Sequence, residues 1–207
     1  MKHSKNIILL LILTIFIISC GEKETTPINT EYIKKVEEHR KGQDDFMKNG
    51  EQSPFNSKEK VEFHPLKYFP ADESFVFKSK LYPYDKRESF PVFGTKGEER
   101  SAYRLGYLKF NKDNKEYRLN VYANIGQGGT VYHSTWYTDQ TTGKETYEVG
   151  RYLDFEFKDN MDFIYTIDFN LAFNPYCAYS PNYSCAIPLD EDFIDLRITA
   201  GEKKFHD

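Results

Sequence analysis

Residues 116–124 read EYRLNVYAN, and their alternation decides the fold. Tyr117, Leu119, Val121 and Ala123 share one parity, and Arg118 and Asn120 take the other. A period of two is the mark of a half-buried strand, because successive side chains leave a pleated backbone on opposite faces. The pattern recurs along the chain. SFVFKSKLY (74–82) sets Phe75, Phe77 and Leu81 against Lys78 and Lys80. RYLDFEF (151–157) sets Leu153, Phe155 and Phe157 against Asp154 and Glu156, and FIYTIDFN (163–170) sets Phe163, Tyr165, Ile167 and Phe169 against Thr166, Asp168 and Asn170. FIDLRITA (193–200) sets Ile194, Leu196 and Ile198 against Asp195 and Arg197. Residues 111–115 and 158–162, rich in Asn, Asp and Lys, lie between consecutive runs as hairpin-type loops. The 17 Phe and 16 Tyr supply side chains that favour strands and fill a small core. The expected fold is mainly β, a single antiparallel sandwich or small barrel-like domain over residues 53–207.

Ahead of it, residues 31–52 read as an N-terminal α-helix capped by Thr30 and stopped at Asn49-Gly50. Ile33, Val36 and His39 mark a thin apolar stripe, so the helix is expected to lie across the domain rather than inside it.

The first residues, MKHSKNIILLLILTIFIISCG, combine Lys2 and Lys5 with an apolar run from Ile7 to Ile18. That run is short for a bilayer span, which needs roughly 17–25 residues, and suits the core of a signal peptide. Ile17-Ile18-Ser19-Cys20 resembles the bacterial lipoprotein signal, in which the cysteine is lipidated and becomes the new N-terminus. The expectation is a signal peptide over 1–19, a lipid on Cys20, and a linker over 20–30. Cys20 then tethers the domain to a membrane in the cell envelope. The chain holds 28 basic against 32 acidic residues, and removal of the leader takes two lysines, so a nucleic-acid partner is not expected.

Cys177 and Cys185 lie in FNPYCAYSPNYSC (173–185), and Ser180-Pro181-Asn182 between them supplies turn chemistry. In an oxidising compartment this reads first as a disulfide staple, ahead of a metal clip or a redox-active pair. No C-x-x-C or H-x-x-x-H spacing supports a metal, and no cofactor is expected.

Within TTGKETYEVGRYLDF (141–155), Gly143 and Gly150 permit unusual backbone angles around Glu145, Tyr147 and Arg151. Arg151 shares strand parity with Leu153 and Phe155, so it points toward the core and needs a carboxylate or an anionic ligand. Glu145 and Asp168 are the candidate partners. Either Arg151 is a structural clamp, or it is the fork of a site for a small polar or anionic ligand. Asp168, Asn170 and Asn174 hold a turn through local hydrogen bonds, or line the mouth of that site. Gly126-Gln127-Gly128-Gly129 lacks the order of a phosphate loop, and His133 and Ser134, adjacent on a strand, point apart and make no nucleophile–base pair.

GKETYEVGRYLDF, DFNLAFNPYCAYSPNYSC and the closing TAGEKKF, with SPF (53–55), LKYFP (66–70) and YRLGYLKF (103–110), resemble the uncharacterised bacterial family called domain of unknown function 1684. The resemblance covers about residues 53–204. It nominates Glu145, Tyr147, Gly150, Arg151, Tyr152, Asn174, Cys177 and Cys185 without naming a reaction. Where relatives often carry an arginine before the aspartate, this chain has Thr138 before Asp139. The functional expectation is a lipid-anchored envelope protein that binds a small polar or anionic ligand, or an envelope partner. The alternatives are a hydrolase using Glu145 or Asp168 with Arg151, and a purely structural lipoprotein.

Overall fold

The computed structural model describes residues 29–56, 61–86, 88–125 and 129–206. The leader, Cys20 and all of the linker before Asn29 lie outside the described residues, as does most of the glycine-rich loop at 126–129.

The described residues are mainly β, with one α-helix ahead of the strands. That helix, α1 (Thr30–Asn49), begins one residue earlier than expected, because Asn29 caps it by accepting from the Tyr32 amide at 3.2 Å. Its buried stripe is Val36, Arg40 and Met47, and His39 is exposed. The stripe goes unseen in a hydropathy pattern because an arginine occupies its centre. Arg40 pairs through Nη1 with Glu37 at 3.0 Å and lies over the Tyr68 ring at 4.6 Å, while its buried Nε and Nη2 have no hydrogen-bond partner among the described residues. Tyr32 ties the start of the helix down by donating to Asp168 at 2.9 Å.

Nine strands follow among the described residues: β1 (Val76–Ser79), β2 (Leu81–Pro83), β3 (Ser89–Phe93), β4 (Glu99–Lys112), β5 (Lys115–Ile125), β6 (Val131–Asp139), β7 (Arg151–Leu153), β8 (Tyr165–Asp168) and β9 (Phe193–Ile194). The larger sheet runs β2-β4-β5-β6-β7, with β3 also on β4 and β9 on β6, while β1 and β8 form a second, two-stranded sheet. The larger sheet stays open, so the barrel-like alternative does not apply. All pairings are antiparallel except β6 with β9.

The run SFVFKSKLY is split, and the cause is local. Ser79 is buried, donates to the Lys80 carbonyl at 2.7 Å and accepts from the Lys109 amide at 2.8 Å. That bond hands the chain from β1 in one sheet to β2 in the other. The 111–115 loop is the hairpin expected, with Asp113 and Asn114 at φ 51° and 61°, the left-handed pair that two-residue turns require. The loop at 158–162 is not a hairpin, because β7 pairs with β6 while β8 pairs with β1.

The main core lies between the two sheets. Phe75, Leu108, Phe110, Leu119, Val121, Tyr137, Ile167 and Phe169 belong to it, with Ile194, Leu196, Ile198 and Ala200 from the last segment. A second cluster joins α1 to the domain through Met47, Phe55, Leu66, Tyr179 and Phe205. The third was not expected. Val92, Ala102, Tyr122, Trp136 and Ala186 cover the opposite face of the larger sheet, so β5 and β6 are buried on both sides. Asn120 and Asn124, assigned to solvent by alternation or left unassigned, are buried on that face.

One carboxylate organises it. Asp192 accepts from Asn120 at 2.8 Å, from the Tyr122 hydroxyl at 2.5 Å, from the Trp136 indole at 3.0 Å and from the Leu189 amide at 2.9 Å. Burial nevertheless raises the Asp192 carboxyl above its usual range, with these donors opposing the shift.

Candidate functional site

The residues nominated from sequence are well ordered by the fold, but they do not converge on one open site. Arg151 enters β7 directly after Gly150, whose φ of 110° and close approach to the Tyr137 carbonyl admit no side chain. Its side chain is 1% exposed. Nη2 donates to Asp139 at 2.6 Å and to the Ile198 carbonyl at 3.0 Å, and Nη1 donates to the Ala200 carbonyl. The partner is Asp139, not Glu145 or Asp168. Asp139 closes β6, and β6 and β7 are antiparallel neighbours, so Asp139 and Arg151 meet across the pair. Glu145 instead pairs with Arg197 at 2.6 Å. Asp168 accepts from Tyr32 and from the Asn170 amide at 3.0 Å. Arg151 is therefore a structural clamp, fastening 198–200 to β7.

The polar residues after β8 are likewise committed. Asn170 donates to the Asp72 carbonyl at 2.8 Å and accepts from the Asp72 amide at 2.8 Å, imitating a strand partner. Asn174 donates through Nδ2 to Glu202 at 2.9 Å and to the Lys203 carbonyl at 2.8 Å. Glu202 was not singled out in sequence, yet it is a fully buried carboxylate. The Tyr179 hydroxyl donates to it at 2.6 Å and the Asn174 amide at 3.0 Å. Burial pushes its carboxyl up to about 7, against the pull of those donors. Gly201, at φ 78°, delivers Glu202 to this position, and a Cβ there would stand 2.5 Å from the Phe169 carbonyl.

Of the nominated residues, Tyr152 and Cys185 border the molecule's main cavity, a cleft of about 700 Å³. The cleft sits on the third cluster. Its floor is the second face of β5, β6 and β7, carrying Asn124, Ser134, Trp136 and Tyr152. Trp136 stacks on Tyr122 at 4.3 Å, and Tyr152 tilts against it at 5.9 Å. Tyr152 is fixed twice, by a hydroxyl bond to the Ala186 carbonyl at 2.6 Å and by backbone bonds of 2.9 and 3.0 Å to Phe173. One wall is Phe173, Pro175 and Tyr176; the other is Tyr183 to Ala186. Arg100, at the rim, reaches the Ser184 carbonyl at 2.8 Å and is exposed. The signal for this site was present in sequence. In EYRLNVYAN and VYHSTWY the second parity begins charged, with Glu116 and Arg118, but from Asn120 onward it holds Asn120, Tyr122, Asn124, Ser134 and Trp136, an aromatic and polar face.

The two cysteines meet at the edge of this cleft but are free thiols, not the expected disulfide. The Cys177 amide donates to the Cys185 sulfur at 3.1 Å, and the Tyr147 hydroxyl to the Cys177 sulfur at 3.7 Å.

This architecture defines a mainly β domain with an aromatic cleft on the outer face of its larger sheet. The chain belongs to the protein family of unknown function DUF1684, whose model matches residues 61–203. The solution structure of an uncharacterized protein from Haloarcula marismortui is similar, with 26% identity and a TM-score of 0.60 over 84% of this chain and 95% of that one. No curated protein matches the chain.

Two outcomes follow from the buried charges. Arg151→Met leaves Asp139 buried without its cation and is expected to cost about 3–5 kcal/mol in urea unfolding. The double variant Arg151→Met/Asp139→Leu should recover part of that loss. Glu202 has its folded pKa raised, so its contribution is full below the unfolded value of 4.5 and is lost as pH rises through about 7. The melting temperature should therefore carry a downward component over that window, and Glu202→Gln should remove it.

Proposed function

We propose that this chain is a lipid-anchored cell-envelope protein that binds a small ligand with a flat apolar body and an anionic group in the β5–β7 cleft. The observation that carries the reading is the cleft itself. Its volume, about 700 Å³, suits a small molecule, and its aromatic floor is held rigid by bonds that need no ligand. Trp136 and Tyr152 offer ring faces, Asn124 and Ser134 offer short polar groups, and Arg100, paired with Glu98 at the exposed mouth, offers a cation that an anionic ligand would take from that pair. Arg100 replaces Arg151 as the residue for the anionic end, because Arg151 has no path to solvent.

The leader and Cys20 support the anchored half of the reading. The hydrolase alternative draws no support from the geometry, since Glu145, Asp168 and Arg151 are each engaged by separate partners.

Trp136 is the single tryptophan, so its emission reports on the cleft without a label. Titration with aromatic carboxylates and aromatic phosphates is expected to shift that emission and raise the melting temperature. Arg100→Ala should weaken binding by about tenfold, or ~1.4 kcal/mol. A panel that moves neither signal, together with a native mass free of any bound molecule, would remove the binding reading. For the anchor, wild-type protein should carry a lipid mass on Cys20, and Cys20→Ser should carry none.

A further inference from the structure

We propose that Cys177 and Cys185 form a redox-active dithiol that exchanges with low-molecular-weight disulfides, Cys177 being the attacking sulfur and Cys185 the resolving one. The inference does not depend on what the cleft binds.

Seven residues separate the two cysteines, a spacing unlike that of common redox motifs, and the fold removes the separation. The chain doubles back through Ser180-Pro181-Asn182 and brings the Cys177 amide to 3.1 Å from the Cys185 sulfur. Their environments differ, and the difference assigns the roles. The Cys177 sulfur accepts from the Tyr147 hydroxyl at 3.7 Å. The Cys185 sulfur accepts from the Cys177 amide at 3.1 Å. A phenolic hydroxyl beside a sulfur stabilises its thiolate, and the thiolate is the nucleophile. The Cys185 hydrogen bond, opposed by burial, holds Cys177 down at about 7, and Cys185 is pushed up in return. Both residues are only half-buried, so a small disulfide can reach them.

The exchange balances without a metal. The Cys177 thiolate attacks one sulfur of the reagent disulfide RS–SR, forming Cys177–S–SR and releasing RS⁻. Cys185 then loses its proton to solvent and attacks the Cys177 sulfur, releasing the second RS⁻. The protein gives up two electrons, and the reagent disulfide becomes two thiols.

The site is also built into the walls. Cys185 is pinned to the β3–β4 turn, its carbonyl accepting from the Thr95 amide at 3.0 Å and its amide donating to the Thr95 hydroxyl at 3.3 Å. Cys177 follows directly on Tyr176, in the opposite wall of the cleft. A bond between the two sulfurs would join the walls.

The test uses the full chain in mild detergent, in a Cys20→Ser background so that only these two of the three cysteines remain. Oxidised glutathione is the probe, read by intact mass. The parent should lose two hydrogens without retaining glutathione. Cys185→Ser should stop at a glutathione adduct on Cys177, and Cys177→Ser should react at least tenfold more slowly. Iodoacetamide at less than one equivalent, followed by peptide mapping of the parent, gives a check that needs neither variant to fold. Label on Cys177, with a rate midpoint near pH 7, supports the proposal. Label on Cys185, equal labelling, or a midpoint near the ordinary thiol value of about 8.5 overturns it. So does a parent that accumulates no disulfide.

Discussion

The contact between Arg151 and Asp139 is the constraint on which the rest of this fold depends. Both side chains are 1% exposed, and two desolvated charges at 2.6 Å repay their burial only if their remaining donors and acceptors are filled. Here most of them are. Thr141 gives Asp139 an amide and a hydroxyl, each at 2.5 Å, and both Nη groups of the guanidinium donate to carbonyls of the last segment, while the buried Nε has no partner among the described residues. That arrangement explains why 195–200 alternates like a strand yet makes no ladder beyond β9. Arg151 stands in for the missing neighbour strand, and the apolar side chains of that segment enter the core because their backbone has been satisfied from the side.

A second buried acid performs the corresponding service on the opposite face. Asp192 gathers Asn120, Tyr122 and Trp136 from two adjacent strands, fixing the rings that floor the cleft. With Glu202 beneath Tyr179 and Asn174, buried acids thus tie the C-terminal quarter of the chain to each layer in turn. Hydrophobic burial supplies the bulk of the stability, and these acids choose among the packings that burial alone would permit.

The strands were legible because each presents a clean period of two toward the main core, as in Tyr117, Leu119 and Val121. The hairpin at 111–115 was legible because Asp113 and Asn114 are residues that tolerate left-handed backbone. What could not be read is pairing. Nothing in SFVFKSKLY announces that Ser79 would divide it between sheets, and the Asp139 partner of Arg151 emerges only once β6 and β7 are in register. The site was legible in part: the inward parity of Arg151 was correct, but parity does not say whether an inward charge meets a ligand or a carboxylate. Tyr152 and Cys185 were nominated and do border the cleft. Its floor was missed because aromatic and amide residues on a strand's second face read as solvent-facing when only one core is assumed.

The position of the Arg151 acceptors along the chain has a consequence for how the protein is made. Ile198 and Ala200 come 47 and 49 residues after Arg151, so the clamp cannot close before that later segment has been made. The β4–β5 hairpin can form early from local contacts, but closure of the core waits for this distant segment. A polypeptide with this dependence keeps its interior open after its local structure has formed.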